Sequence, residues 1–377
     1  MSAVKICFFN SGFLPDRGGV ATFAAGLVSR MAKHPDVDAV KVIAFKNTNP
    51  RHEIDGLLEI FAFSQGSFWV MFWVILKYTI RFRQFDIFHA SNIFPVGFFV
   101  VLFAKFLFGK KVFLTLHGTD VVTTRGSALV KWAKRFTLAH ADRALANSKS
   151  TMARAVEKQK VSADQFAVVY PGVDDQLFSK QIVYVRKQYK LNSDDFVVLT
   201  ICQLIKRKGV DDLLRAIGEI GDKRVKLLVV GKGPETGNLK ALAAELNIQD
   251  RVIFAGSAAY EFMSNYYQAA DVFAMTSKYI ASEGDIEGLG IVLLEAQYFG
   301  LPVIGTNSGG IPETIQDGKT GLIAPEADPE AIAAAVLKLK NNPEARRQMG
   351  ETGKKFVREN FAWEKSIANH LKEYGRK

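Results

Sequence analysis

Short apolar runs alternate with longer stretches of helical spacing along the whole chain, and the pattern is run through twice. The first pass opens with Val4–Asn10, a glycine-containing loop and a helical stretch at Val20–Lys33. Strand candidates follow at Ala39–Phe45, Asp86–Ala90, Lys111–Leu116, Arg143–Ala146 and Gln165–Val169, with helices expected near Trp69–Arg83, Pro95–Phe108, Ala128–Ala139 and Ser148–Gln159. The turn Tyr170-Pro171-Gly172-Val173-Asp174 closes this pass. The second starts at Phe196–Cys202 and continues through Lys226–Val230, Val252–Phe254, Val272–Met275 and Pro302–Gly305, then turns wholly helical from Pro329. Parallel neighbours need a crossover long enough to bring the chain back to the same edge, and a helix is the compact way to build one. The expected fold class is therefore α/β, with two Rossmann-like doubly wound domains facing across a cleft. Their expected bounds are 1–172 and 173–355, and a helical tail, 356–377, returns toward the first. Such sheets take ligands at the carboxyl ends of their strands.

Composition narrows the setting. Of 377 residues, 48% are hydrophobic and 23% charged, which is globular rather than disordered. The two cysteines, Cys7 and Cys202, are far apart in apolar runs with no second ligand at metal-binding spacing, so neither a disulfide framework nor a zinc site is expected. Buried thiols point to a reducing, cytoplasmic compartment. The opening residues read as a strand, not a signal peptide, and the most apolar windows, Phe68–Leu76 and Ile93–Ala104, fall short of the roughly 20 residues a spanning helix needs. The net charge of +11 lies in residues 1–172, with 22 Lys and Arg against 11 Asp and Glu; the remainder carries 27 of each. Of 29 phenylalanines, 20 fall in the first 150 residues. Basic charge with aromatics favours an anionic membrane surface over nucleic acid, for which no motif is present. The aromatic helix Phe68-Trp69-Val70-Met71-Phe72-Trp73, followed by Lys77, Arg81 and Arg83, is the contact this reading picks out, at the inner face of a membrane.

Chemistry concentrates in the second half. Glu287 precedes Gly288-Leu289-Gly290-Ile291, and Glu295 follows eight residues after Glu287, inside a helix that begins near Gly290. Glycines let a ligand approach the backbone, free amides at a helix start hold phosphate, and carboxylates accept hydrogen bonds from sugar or ribose hydroxyls. The basic loop Gln203-Leu204-Ile205-Lys206-Arg207-Lys208-Gly209 supplies cations for a diphosphate leaving group. Gly231-Lys232-Gly233 lacks the third glycine of a dinucleotide fingerprint, since position 236 is Thr. No Asp-x-Asp sits at a strand end, so no divalent metal is expected.

The stretch Glu287–Gly321 resembles the core signature of the retaining family 4 glycosyltransferases, most of all the members that use GDP-mannose. Further matches follow in order: Gly18-Gly19-Val20, Leu116-His117-Gly118-Thr119-Asp120, Pro171-Gly172-Val173-Asp174 and Gly231-Lys232-Gly233-Pro234-Glu235. The resemblance implies GT-B architecture, with 1–172 on the acceptor side and 173–355 binding the nucleotide sugar. It implies that Glu287 meets the transferred sugar and Glu295 the ribose, and that Gly288, Leu289 and the amides of Gly290 and Ile291 lie along the diphosphate. Gly18 and Gly19 close over the phosphates, and His117 reaches the reaction centre. Lys208 matches the family lysine, but Gln203 stands where an arginine is common, so either Arg207 or Lys206 supplies that charge or the donor's diphosphate is held more weakly.

The implied activity is metal-independent retaining hexosyl transfer, with GDP-mannose favoured as donor and a UDP-hexose next. Loops Asn47–Phe63 and Thr123–Ser127 are expected to shape a pocket for a lipid-linked, phosphorylated or saccharide acceptor. A nucleotide-sugar epimerase of the same fold and a non-catalytic membrane-associated homologue are the alternatives. The first lacks a placed base, and the intact Glu287, Glu295, Lys208 and His117 weigh against the second.

Overall fold

The computed structural model describes residues 3–375 apart from 15–18, 48, 65, 119–120, 122–126, 174–182 and 283. Gly18, Thr119 and Asp120 of the histidine motif, Asp174, and residues 123–126 of the second expected acceptor loop lie outside the described residues.

The chain divides into two compact units, Met1–Gly172 with Trp363–Lys377, and Val173–Ala362. The second division falls at residue 362 and not at 355. The helix Pro343–Asn360 runs through the expected boundary and buries Met349, Gly350, Gly353 and Val357, so it stays with the second unit. Only the last helix belongs to the first.

The first unit holds β1 (Val4–Asn10), β2 (Val37–Ala44), β3 (Arg51–Asp55), β4 (Leu58–Ala62), β5 (Ile87–Ala90), β6 (Lys111–Leu116), β7 (Arg143–Ala146) and β8 (Phe166–Val168). Their order is β3-β4-β2-β1-β5-β6-β7-β8, parallel throughout except for the antiparallel β3–β4 pair. The hairpin β3–β4 corrects the sequence reading, which had an acceptor-shaping loop at Asn47–Phe63. Strand β4 continues the sheet from β2, with Val40 opposite Leu58 and Ala44 opposite Ala62. Strand β3, Arg-His-Glu-Ile-Asp, is an exposed edge whose charged residues carry no apolar alternation to read. Behind it, the buried Glu59 is paired with Lys41 at 2.6 Å and lies within hydrogen-bond distance of His52 Nε2 at 2.7 Å.

The second unit holds β9 (Phe196–Ile201), β10 (Val225–Val230), β11 (Val252–Gly256), β12 (Val272–Met275), β13 (Val303–Thr306) and β14 (Gly321–Ala324), in the all-parallel order β11-β10-β9-β12-β13-β14. In each sheet the first strand in chain order sits between neighbours reached by opposite turns of the chain: β1 between β2 and β5, β9 between β10 and β12. The loops that leave β1 and β9 therefore emerge at the switch points where doubly wound sheets bind ligands.

One face of the first sheet is covered by α1 (Gly19–Met31), whose Phe23, Ala24, Leu27 and Val28 join Ile6, Phe8, Val40 and Val42 in a single core. The terminal helix, Trp363–Gly375, adds Trp363, Ile367 and Tyr374 to that core. It is tied down by Tyr374 Oη to His89 Nδ1 at 2.6 Å and by Arg143 to Glu373 at 3.2 Å.

The opposite face carries three aromatic segments. In α2 (Phe68–Arg81), Met71, Ile75, Tyr78 and Thr79 are buried, and Tyr78 lies 4.8 Å from the Phe61 ring. Trp69 and Trp73 point outward instead, so the helix is two-sided. The helical segment 93–108 and α3 (Ala128–His140) continue the layer through the ring contacts Phe72–Phe99, Phe98–Trp132 and Phe106–Phe136. Along it Trp69, Trp73, Phe106, Leu107, Leu129 and Trp132 are each more than half exposed. Lys77, Arg83, Lys131 and Arg135 are exposed on the same helices and the turn after α2. Among the described residues no helix is long and apolar enough to cross a membrane.

Candidate active site

The loop leaving β9 is built to display charge. Leu204 is buried and pinned by backbone bonds to Lys232 and Glu235, whereas Gln203 beside it is exposed. A single turn, Lys206–Lys208, then projects its cations before Gly209 redirects the chain into the helix Val210–Glu219. Lys208 Nζ reaches Glu287 Oε2 at 2.6 Å, and the Arg207 guanidinium bonds the same oxygen. Ser277 Oγ adds a third donor at 3.3 Å. Arg207 also pairs through Nε with Asp285 at 3.0 Å. Two cations are thus matched by two carboxylates in a largely buried cluster. Burial alone raises the Glu287 carboxyl pKa, but Lys208 and Arg207 outweigh it and hold the group at about 2.

The backbone of Glu287 is fixed from behind. A side-chain carbon on Gly309 would fall 2.0 Å from the Glu287 carbonyl oxygen, and the residue has φ of +58°. Glycine is the residue that satisfies both demands. Gly310 N donates to the same carbonyl at 3.2 Å. Downstream, Gly290, at φ of +91°, caps α4 (Ile291–Tyr298), so the helix begins one residue after the glycine named from the sequence. Gly288 and Leu289 are buried between the acidic residue and the cap.

Glu295 lies within that helix and is buried, with its two oxygens accepting from the hydroxyls of Tyr260 and Tyr267, each at 2.6 Å. Burial raises its pKa, and the two hydroxyl donors lower it. The structure therefore brings together Glu287, Lys208 and Arg207, while Glu295 stands in a separate hydrogen-bonded group. Asp285, Ser277, Tyr260 and Tyr267 are site neighbours that sequence reasoning missed. Asp285 sits two residues before Glu287 in an acidic run and was visible in principle; the tyrosines carry no local signal.

In the first unit, His117 follows β6 and meets the edge of Phe23 with ring centroids 5.3 Å apart. Burial lowers its pKa to about 4, so the imidazole is neutral near pH 7. Gly19 is the exposed first residue of α1. Among the described residues no group of three or more His, Cys, Asp and Glu is placed to hold a metal ion.

Comparison with known proteins joins these two halves. Residues 184–356 match the family described as glycosyl transferases group 1, and residues 17–177 match glycosyltransferase family 4. The N-acetyl-alpha-D-glucosaminyl L-malate synthase of Bacillus anthracis is 32% identical over 292 residues, which is 76% of this chain and 74% of that protein. The chain belongs to glycosyltransferase family 4. It is a nucleotide-sugar-dependent glycosyltransferase, in a family whose enzymes retain anomeric configuration and generally work without metal.

A GDP-mannose-dependent alpha-(1-6)-phosphatidylinositol monomannoside mannosyltransferase of Mycolicibacterium smegmatis is 38% identical to this glycosyltransferase over 199 residues, 51% of this chain and 52% of that protein. The chain thus aligns with about half the length of that relative. Among solved structures, the Anabaena protein HepE in complex with UDP and glucose superposes with a TM-score of 0.80 at 19% identity, covering 98% of both chains. WaaG, a glycosyltransferase involved in lipopolysaccharide biosynthesis, does so with 0.73 at 18% identity, covering 98% of this chain and 100% of its own. Both show that the glycosyltransferase has GT-B architecture.

Proposed function

We propose that this glycosyltransferase moves a hexose, with retention, from a nucleoside-diphosphate donor to a lipid-linked or saccharide acceptor. GDP-mannose is the favoured donor and a UDP-hexose the next. The observation that carries the reading is the cluster of Lys208 and Arg207 on Glu287 Oε2. On this reading the two cations meet the charge that gathers on a diphosphate leaving group, beside a carboxylate whose Oε1 is offered to a hydroxyl of the transferred sugar. In the reaction the bond from the anomeric carbon to the diphosphate breaks as a bond from the acceptor oxygen forms on the same face. The acceptor's proton passes to the departing phosphate oxygen, so no protein nucleophile is required. Gly290 and Ile291 offer their amides to the diphosphate at the start of α4, aided by the helix dipole. Gly19, the first residue of α1, offers its backbone to the phosphates. His117, neutral at working pH, hydrogen-bonds a sugar hydroxyl without adding charge.

The relatives support the class and differ in sugar, so the donor is decided by binding. UDP, GDP and ADP, each in about hundredfold excess over its Kd, stabilise a protein that binds them only when folded by about 2.7 kcal/mol. A metal-free thermal-shift series is expected to single out GDP, with the shift lost in Glu295→Ala. A shift with UDP alone reverses the donor order, and no shift with any nucleotide removes the proposal.

The exposed aromatic layer across α2, the 93–108 segment and α3 supports a peripheral seat for the enzyme on an anionic membrane, at the cytoplasmic face. Tryptophan settles at the polar–apolar boundary of a bilayer, and the neighbouring lysines and arginines meet anionic headgroups. In flotation, vesicles with anionic lipid are expected to carry the protein up and neutral vesicles to leave it behind. The double variant Trp69→Ser/Trp73→Ser should reduce recovery at least about tenfold, the loss expected when two interfacial anchors are removed. Equal absence from both kinds of vesicle sinks the membrane assignment.

A further inference from the structure

The carboxylate of Glu295 is gripped from two sides by residues that are not alike. Tyr267, on the helix Met263–Ala269, is fully buried. Its ring stacks on Phe299 with centroids 5.5 Å apart and leans on Phe273 of β12 at 5.9 Å. Burial, reinforced by Glu295, pushes its hydroxyl well above the ordinary phenol range, so it stays a hydrogen-bond donor. These ring contacts hold the hydroxyl in place on Oε2, to which it donates at 2.6 Å. Tyr260 is different. It lies in the turn Tyr260–Phe262 after β11, is only partly buried, and donates to Oε1 from the more open side.

An ionised carboxylate only accepts, and it has about four lone-pair sites for donors. Two tyrosine hydroxyls leave it under-supplied in a buried setting, where a missing donor costs most. A vicinal diol supplies two donors at once, and a phosphate supplies none at neutral pH.

We propose that Tyr267 is a positioning residue that aims Glu295 at the 2′- and 3′-hydroxyls of the donor's ribose, and that Tyr260 is the exchangeable hydroxyl which yields its place on Oε1 to one of them. This rests on the nucleotide-sugar reading above. Tyr267 touches neither sugar nor phosphate and acts only through the carboxylate. Ribose recognition is then set by the tyrosine behind Glu295 as much as by Glu295.

The test is calorimetric titration of the full chain with the nucleoside diphosphate the wild type binds and with its 2′-deoxy and 3′-deoxy counterparts. The wild type is expected to prefer the ribonucleotide at least about tenfold, the discrimination a site built to bond a hydroxyl shows against its absence. In Tyr267→Phe that preference falls to within about threefold, because the ribonucleotide weakens and the deoxy forms change little. In Tyr260→Phe the preference is kept and the ribonucleotide binds more tightly. Equal weakening of ribo and deoxy forms in Tyr267→Phe marks a structural role only and overturns the proposal. Should Tyr267→Phe lose its cooperative melt, Glu295→Gln beside Tyr260→Phe decides: the first must erase the preference and the second must not. A preference that survives Glu295→Gln places ribose recognition elsewhere, while nucleotide binding itself stands. A wild type that binds no nucleoside diphosphate overturns the nucleotide reading, and this proposal with it.

Discussion

Replacing Glu287 with alanine is expected to cut glycosyl transfer sharply: kcat/KM falls by about 10²–10³-fold, the range seen when a group stabilising the transition state is removed. The same change destabilises the second unit. Arg207 and Lys208 are largely buried and both meet Glu287 Oε2, so its loss leaves two cations with Asp285 as their remaining carboxylate. Removing one partner of a buried ion pair costs about 3–5 kcal/mol. Glu287→Gln keeps the shape and separates charge from packing. The pH dependence has a definite sign. The Glu287 pKa is about 2 in the folded protein against an ordinary 4.5. Its ionisation therefore contributes stability in full above the ordinary value, about 3 kcal/mol, and loses it as pH falls toward 2. Denaturant melts of wild type and Glu287→Gln should differ most near pH 7, draw together below the ordinary carboxyl pKa of 4.5 and converge toward pH 2. Transfer by Glu287→Ala within threefold of wild type refutes the role, and a pH-independent gap refutes the electrostatic account.

The second large effect concerns the core of the first unit. Trp363 is buried against two glycines, and a side-chain carbon on Gly26 or on Gly172 would come within 2.4 Å of it. Its ring stacks on Phe23 at 6.0 Å, with the Arg30 guanidinium 4.8 Å from its centre. Trp363→Ala leaves a cavity no neighbour fills and should cost about 3–5 kcal/mol. Ending the chain after Ala362 also strips Ile367 and Tyr374 from the same core and leaves His89 without its 2.6 Å partner. The shortened protein is expected to show a cooperative melt from the second unit alone, with dye-binding apolar surface on the first. Calorimetry with an apolar dye reads both. A truncated protein with two intact transitions would mean that the terminal helix is an accessory rather than part of the first core.

Much of the fold was legible because its central strands are buried on both faces, and such strands read as unbroken apolar runs. Phe196–Ile201 and Lys111–Leu116 show this, every residue of the first being buried. The misses are β3, β4 and β14. Strand β3 is polar and exposed, so it offers no apolar alternation to separate strand from turn; β4 and β14 are short apolar runs whose length alone does not set them apart from the four-residue strands that were read. Glu287, Glu295 and Lys208 were named from their setting among glycines and basic residues. The company they keep was not legible, because Asp285 against Arg207, and the tyrosines against Glu295, are contacts between residues distant in the chain or on separate elements. Periodicity reports which side of an element faces inward; it does not report which neighbour waits there.

The polypeptide leaves the first unit at Gly172 and comes back to it only at Trp363. During synthesis, every residue of the second unit is made before the helix that completes the core of the first. The half rich in phenylalanine must wait with Phe23 and Phe113 lacking their contacts to Trp363 and Tyr374 while the other half is finished. Domains emerging from synthesis generally fold as units, N-terminal first, and a half-built one with exposed apolar surface is prone to association. Here the order is reversed for the final step: the domain that starts first matures last. A chaperone that shelters the waiting half would serve this chain better than one that acts on the second unit, which has its whole core in hand.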